Sequence, residues 1–579
     1  MKRILVAALA ITATVTLKAT PHSDNQAIVH VLNRIGFGPR AGDVERVRSM
    51  GLERYVDQQL HPERIPDGAL AARLSALTTI GLGSREIAEQ YEQPLLEARR
   101  ERRQNAKPDD PAAGNQKPAD PVQQKANAVM VELSEQKLLR AVYSERQLQE
   151  VLADFWFNHF NVDARKGPDR FLLTEYERES IRPHLLGKFR DLLGATARSP
   201  AMLFYLDNWM SADPNGPHKT PHEVGRPFPA SAREPDAPEA RRRQGRRGEP
   251  ERLTLQQAQG KRAPRGLNEN YGRELMELHT LGVDGGYTQK DVTEVARAFT
   301  GWTIENPRQG GGFTFEPRLH DTGQKIVLGH VIQAGGGESD GEQVLDILAA
   351  HPSTARFIST KLARRFVSDT PPPALIDRAA ARFRETDGDL REVMRTILTS
   401  PQFLSPQAYR AKVKTPFEFV VSALRATGTD VDTGERKARE GREEHLGSAG
   451  FEASAFDARA LVREVQQLGM PLYMCQPPTG YKDTGDAWVN TGALVNRMNF
   501  ALRLAGHQIS RGAGAFREPP LPRTAVGGPS ALDALDSQAV IARLLGGDVS
   551  DTTRATIAKA TTAPQMTALT LGSPEFQRR

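Results

Sequence analysis

"NQAIVHVLNRIGFGPRAGDVERVRSMGLERYVDQQL", residues 25–60, decides the fold class. Its apolar residues recur three and four positions apart, the period of an amphipathic helix, and a Gly-Pro pair breaks the run into two helices. The same rhythm returns over 129–162, 170–210, 267–282 and 288–304, then over 341–368, 374–404, 412–427, 458–468 and 490–508. Strand signals are scarce. "FTF" (313–315) and "KIVL" (325–328), on either side of "HDTGQ", read as one small hairpin. Strands and helices do not alternate, which argues against a parallel sheet. The expected fold is mainly α: a packed multi-helix body with one small β-hairpin insertion.

An internal echo supports helices meeting at sharp corners. "GATARSPAMLFYL" (194–206), "RTILTSPQFLS" (395–405) and "ALTLGSPEFQR" (568–578) each close a helical run with Ser-Pro and an apolar residue. Proline disfavours helical geometry in the residue before it and suits the first turn of a new helix. Ser199, Ser400 and Ser573 are therefore expected to cap helix N-termini.

Composition separates core from insertion. The chain has 579 residues, 39% of them hydrophobic and 26% charged, which is enough to bury a large core under a well-solvated surface. The net charge is +6, and basic residues are concentrated in breaks such as "EARRERRQNAKPDDPAAGNQKPADP" (97–121) and "EPDAPEARRRQGRRGEPERL" (234–253). These mix Pro, Gly and both charge signs, bury little apolar surface, and read as solvated insertions rather than a nucleic-acid surface. The start, "MKRILVAALAITATVTLKA", has two cations, an apolar run and a small residue, the layout of an export signal. The single Cys475 allows no internal disulfide. The expected organisation is a signal peptide at 1–19, a helical region at 20–100, a charged insertion at 101–128 and a helical core at 129–211. A basic, Pro-rich insertion at 212–265 follows, then a second core part at 266–505 carrying the hairpin near 313–328, and a helical tail at 506–579. The expected location is periplasmic or secreted, with no transmembrane anchor and no nucleic-acid partner.

Seven segments together carry a resemblance. "VLNRIGFGPRAGDVERV", "FWFNHFNV", "SPAMLFYLDN", "LNENYGRELMELHTLGVDGGYTQKDVTEVARAFTGW", "HDTGQKIVLG", "KVKTPFEFVVSALRATG" and "PPTGYKDTGDAWVNTGALVNRMNFA" occur in that order. From about residue 27 to the C-terminus, the charged insertions apart, the chain resembles the bacterial family called domain of unknown function 1800. The resemblance implies export and a neighbouring exported protein resembling sulfatases and alkaline phosphatases. It implies no reaction. Thr479 and Tyr481 depart from it, standing where relatives usually show an apolar residue and Trp.

Four polar knots are candidate sites. In "NENYGRELMELHTLG" (268–282), a helical wheel puts Asn270, Arg273, Glu274 and Glu277 in one stripe beside the apolar Tyr271, Leu275 and Leu278. Glu269–Arg273 and Arg273–Glu277 also have the spacing of ordinary ion pairs. His279 falls opposite Asn270 and cannot share a ligand set with Glu274 on that helix. In "VDGGYTQKDVTEVARAF", an EF-hand reading fails because positions 3 and 12 from Asp284 are Gly286 and Val295. Thr288 and Asp291 have capping-box spacing instead, with Val292, Val295, Ala296 and Phe299 as the buried face. His159, beside Leu148, Leu152 and Phe155, points into the core and needs a polar partner there, with Asn161 and Asp163 following at once. His320–Asp321 can ligate or exchange protons if other groups converge on it, or can be an ordinary turn, with Lys325 nearby.

No nucleophile elbow, phosphate loop, dinucleotide fingerprint, haem site or cysteine-rich zinc pattern appears, so the cofactors remain unknown. Two function classes follow. One is an accessory or binding protein of the envelope, working with the sulfatase- or phosphatase-like partner on an extracellular polymer. The other is an envelope hydrolase, metal-dependent or not, whose centre joins His159, Asn208, Asn270, Glu274, His320 and Asp321. Convergence of those six separates the two classes. Asn270 and Glu274 are expected to turn inward and meet His159 and Asn208.

Overall fold

The computed structural model describes residues 24–105, 120–217, 266–433, 456–506 and 536–579. The expected signal peptide lies outside the described residues, as do 106–119 and 218–265 of the two expected insertions.

The opening stretch folds as its period requires, with one more break than expected. Helix Asp24–Arg34 ends before the Gly-Pro loop, and the second run is divided into Asp43–Met50 and Leu52–Leu60. Gly51 divides it: its φ of 92° lies where only glycine is comfortable. The central element is helix Pro121–Tyr143, started by Pro121 and capped by Asp120, whose carboxylate accepts from Val122 N. It packs against Gly68–Leu74, Gln147–His159, Asp169–Glu175, Pro416–Thr427 and Ala458–Gln467. One contiguous core cluster runs from Ile28 to Phe576.

Residues 577–579 are tied into that core. Lys412 N donates to Arg579 O, Arg579 N to Lys412 O at 2.8 Å, and Lys414 N to Gln577 O at 2.9 Å. Nearby, Glu418 completes a capping box with Thr415 and lies 2.8 Å from Arg365 and 3.0 Å from Arg579. Burial alone pushes the Glu418 carboxyl up, but Arg365, Arg579 and the Thr415 amide outweigh it and hold it at about 2.

Mainly α is the observed class, but the β structure is not one hairpin. Phe313–Phe315 pairs with Trp302–Ile304, and Lys325–Val327 pairs with His330–Ile332, both antiparallel. A third two-residue pair, Val431–Asp432 with Phe456–Asp457, is parallel. "FTF" and "KIV" do not meet because "HDTGQ" is not a turn. It is held down by buried hydrogen bonds described below. The turn is Leu328-Gly329, both left-handed at φ 50° and 82°, the geometry of a tight two-residue hairpin.

One of the three Ser-Pro corners is capped as expected: Ser573 Oγ accepts from Phe576 N at the start of helix Pro574–Gln577. Ser400 Oγ accepts from Phe403 N but opens a run of turns rather than a helix, and Ser199 makes no side-chain cap. The Thr288–Asp291 capping box forms, and Val292, Val295, Ala296 and Phe299 are fully buried.

Candidate functional site

The motif at 268–282 begins as a helix, Glu269–Glu274, capped by Asn268, whose side chain accepts from Tyr271 N and donates to Leu206 O. It then widens into five-residue turns over Leu275–Thr280, with Leu281 N bonding to Met276 O at 2.7 Å. The widening changes the wheel. The expected Glu269–Arg273 and Arg273–Glu277 pairs do not form: Arg273 donates to Gln289, Glu269 accepts from Gln289, and Glu277 accepts from the Tyr287 hydroxyl. Tyr271, Leu275, Met276 and His279 go to the core, while Asn270 is exposed and Glu274 half-buried.

Asn270 and Glu274 face an open cleft of ≈ 620 Å³ rather than the interior. Its other walls are Asp163, Arg165 and Lys166, Tyr205 and Leu206, and Gln476 and Pro478. The asparagines of "FWFNHFNV" build this cleft by fastening the 471–481 loop. Asn158 donates to Tyr481 O at 2.8 Å and accepts from Tyr481 N at 2.7 Å. Asn161 donates to Cys475 O and Pro477 O. The Tyr205 hydroxyl donates to Gln476 O at 2.7 Å. Gly480 permits the approach: a Cβ there would lie 2.2 Å from Asn158 O. Tyr481 also holds the loop by donating to Pro471 O.

The cations of the cleft are paired. Arg165 forks onto Asp163, with Nε–Oδ1 at 3.0 Å and Nη2–Oδ2 at 2.9 Å, and Lys166 donates to Asp207 at 2.8 Å. Glu274 alone among the lining carboxylates has no hydrogen-bond or salt-bridge partner among the described residues. Burial, reinforced by Glu277, raises its proton affinity against the pull of Arg273. The Cys475 thiol is buried and pushed up to about 11 by that burial and by Asp163, which removes it as a nucleophile near neutrality.

The six expected residues fall in separate surroundings. His159 is 2% exposed within Phe155, Trp156, Phe160 and Phe357, and its Nε2 meets His279 O at 3.1 Å. Burial drives His159 well below the usual imidazole range and His279 down to about 3, so both are neutral core residues. Asn208, fully buried, donates to Phe299 O and Trp302 O. Neither meets Asn270 or Glu274, which corrects the expected inward cluster. The wheel placed each side chain on its helix, but the long-range packing sent the histidine and the carboxylate to different faces.

His320 and Asp321 belong to a third, closed network. His320 Nδ1 donates to Thr300 O at 2.8 Å and lies 3.3 Å from Thr300 Oγ1, and Nε2 faces Asp340 Oδ2 at 3.1 Å. The order Thr300–His320–Asp340 imitates a catalytic triad. It is sealed, however: Thr300 and Asp340 are fully buried, and Thr300 Oγ1 already donates to Arg297 O and accepts from Asp321 N. Lys325, also fully buried, donates to Asp340 at 2.7 Å, and Arg297 clamps Asp321 at 2.7 and 3.0 Å. Burial raises the Asp340 carboxyl, but His320 and Lys325 more than offset it and hold it low. This network fastens the hairpin to helix Gln289–Ala298, whose Asp291 and Glu294 accept from Leu328 N and Ile326 N. Among the described residues no three His, Cys, Asp or Glu side chains are arranged to hold a metal ion.

Sequence reasoning missed Arg165, Lys166, Tyr205, Gln476 and Asp340. The signal for the first two was adjacency to Asp163; Gln476 and Asp340 carried none.

Fold and cleft define a mainly helical protein whose polar site is assembled from four distant stretches. The chain belongs to the family described as Protein of unknown function (DUF1800), whose model matches residues 30–578. No curated protein and no solved structure matches it.

Proposed function

We propose that the chain is an exported accessory or binding protein of the cell envelope. Its cleft holds a segment of a hydroxyl-rich extracellular polymer, such as a polysaccharide, for a sulfatase- or phosphatase-like partner. The observation that carries this reading is the composition of the cleft. Its two cations, Arg165 and Lys166, are already paired with carboxylates, so it offers little net charge to a polyanion. It does offer the exposed amides of Asn270 and Gln476 and the ring of Pro478, groups that receive sugar hydroxyls and ring faces. The scatter of the polar knots also fits a binding protein better than a catalytic centre.

Export rests on the charged-then-apolar start of the chain. Among the described residues, no helix is long and apolar enough to cross a membrane. N-terminal sequencing of protein from the periplasm or medium is expected to begin near residue 20. An intact Met1 in the cytoplasmic fraction would defeat the export reading.

One observation favours a second reading, hydrolysis. Glu274, with raised proton affinity and no partner, shares the cleft with the ion-paired Asp163. One carboxyl biased towards its acid form beside a second, ion-paired carboxyl is a pairing that general acid–base catalysis can use. Glu274→Gln separates the readings. It removes turnover of envelope polysaccharide if the cleft is catalytic, and leaves a non-hydrolysing protein still able to bind if it is not.

A further inference from the structure

One buried cation without an acceptor lies far from the cleft. Lys414 is 3% exposed, and its ammonium sits 4.0 Å from the centre of the Phe576 ring. No hydrogen-bond acceptor or carboxylate partners its Nζ among the described residues. A cation–π contact supplies only part of what a buried ammonium loses on leaving water.

The surroundings carry several more cations, some of them already paired: Lys412 with Asp369, and Arg365 with Asp154 and Glu418. Arg34, Arg365, Lys412, Arg497 and Arg579 are buried in the same part of the fold. Glu418 is already shared between Arg365 and Arg579. Among the described residues, Arg579 Nε has no hydrogen-bond partner. Burial pushes Lys414 down to about 7, with Glu418 pulling it up against Arg410, Arg579 and Arg497. Buried polar atoms without partners point to a water or ion between them.

There is room for one. A cavity of ≈ 20 Å³ opens beside Lys414, lined also by Arg410, Arg578, Arg579 and Glu575. That volume admits about one water-sized particle. The carboxylate of Glu575 does not neutralise the wall, because it is engaged by Ser550 and Thr553.

We infer that Lys414 and the cations around it enclose a binding site for a single-atom monovalent anion, chloride in the first instance. The anion is a structural counter-ion. It neutralises the seam where residues 577–579 pair with 412–414, and so secures the end of the described chain against the core.

The test uses the whole mature protein. Crystals grown in bromide are expected to show one anomalous peak in contact with Lys414 Nζ. In solution, the melting temperature is expected to rise and saturate with chloride but not with gluconate at equal ionic strength, and Lys414→Met should remove that saturable rise. A silent bromide experiment with identical melting in both salts would overturn the inference and leave a neutral amine beside a water. If Lys414→Met fails to fold, the bromide peak and the wild-type salt comparison decide the question without it.

Discussion

Replacing Gly480 by Ala tests how the cleft wall is held. Gly480 has φ +71°, and a left-handed backbone costs an L-residue roughly 1–2 kcal/mol. The new Cβ would also lie 2.2 Å from Asn158 O and 2.6 Å from Asn158 Oδ1, both far inside contact distance. Relief requires the loop to withdraw from Asn158, which breaks the two bonds between Asn158 and Tyr481 at about 1 kcal/mol each. The sum is about 3–4 kcal/mol. Gly286 is the control: its φ is +87°, but an added Cβ there meets nothing within 4 Å, so Gly286→Ala carries only the backbone cost. Cys475, the only cysteine, lies on the same loop and is buried, so the rate of thiol labelling reports local opening of the loop. At about 1.4 kcal/mol per tenfold, Gly480→Ala should label at least about 100-fold faster than wild type. Gly286→Ala, on another element, should leave the rate unchanged. Labelling of Gly480→Ala within threefold of wild type would refute the reasoning that Asn158 clamps this loop.

Three further outcomes are expected. Glu418 sits at about 2 in the fold against 4.5 for an ordinary glutamate, so its stabilising contribution is present above about pH 4.5 and is lost as pH falls towards 2. That contribution is of order 3 kcal/mol, and Glu418→Gln should flatten the acid limb of a stability–pH curve over that window. Lys325→Met leaves the fully buried Asp340 without its ammonium and should cost about 3–5 kcal/mol in chemical denaturation, with Asp340→Asn restoring part of the loss. Ser573→Ala should cost about 1 kcal/mol and Ser199→Ala only a few tenths, because Ser573 alone of the two makes a cap bond.

The helices were legible because amphipathic periodicity is a local property. The Thr288–Asp291 box and the buried Val292–Phe299 face are written within a dozen residues. The strand pairing was not legible, since three-residue strands carry almost no alternation and the Leu328-Gly329 turn lacks the usual Asn or Asp. The wheel through 268–282 failed past Glu274 because the helix widens there, which no residue in the motif announces. The cleft was half legible. Asn270 and Glu274 were singled out, but as members of an interior cluster with His159. Their true neighbours, Lys166 and Gln476, are brought in by the Asn161 bonds to Cys475 and Pro477, contacts across more than three hundred residues.

The most direct measurement is a calorimetric titration of the mature protein with oligosaccharides released from its own envelope. Saturable one-site binding is expected, reduced at least tenfold by Asn270→Ala or Gln476→Ala and unchanged by Ser199→Ala on a distant corner. Binding that ignores both cleft substitutions, or no binding to any envelope oligosaccharide, would contradict the assignment of the cleft as a polymer-binding site.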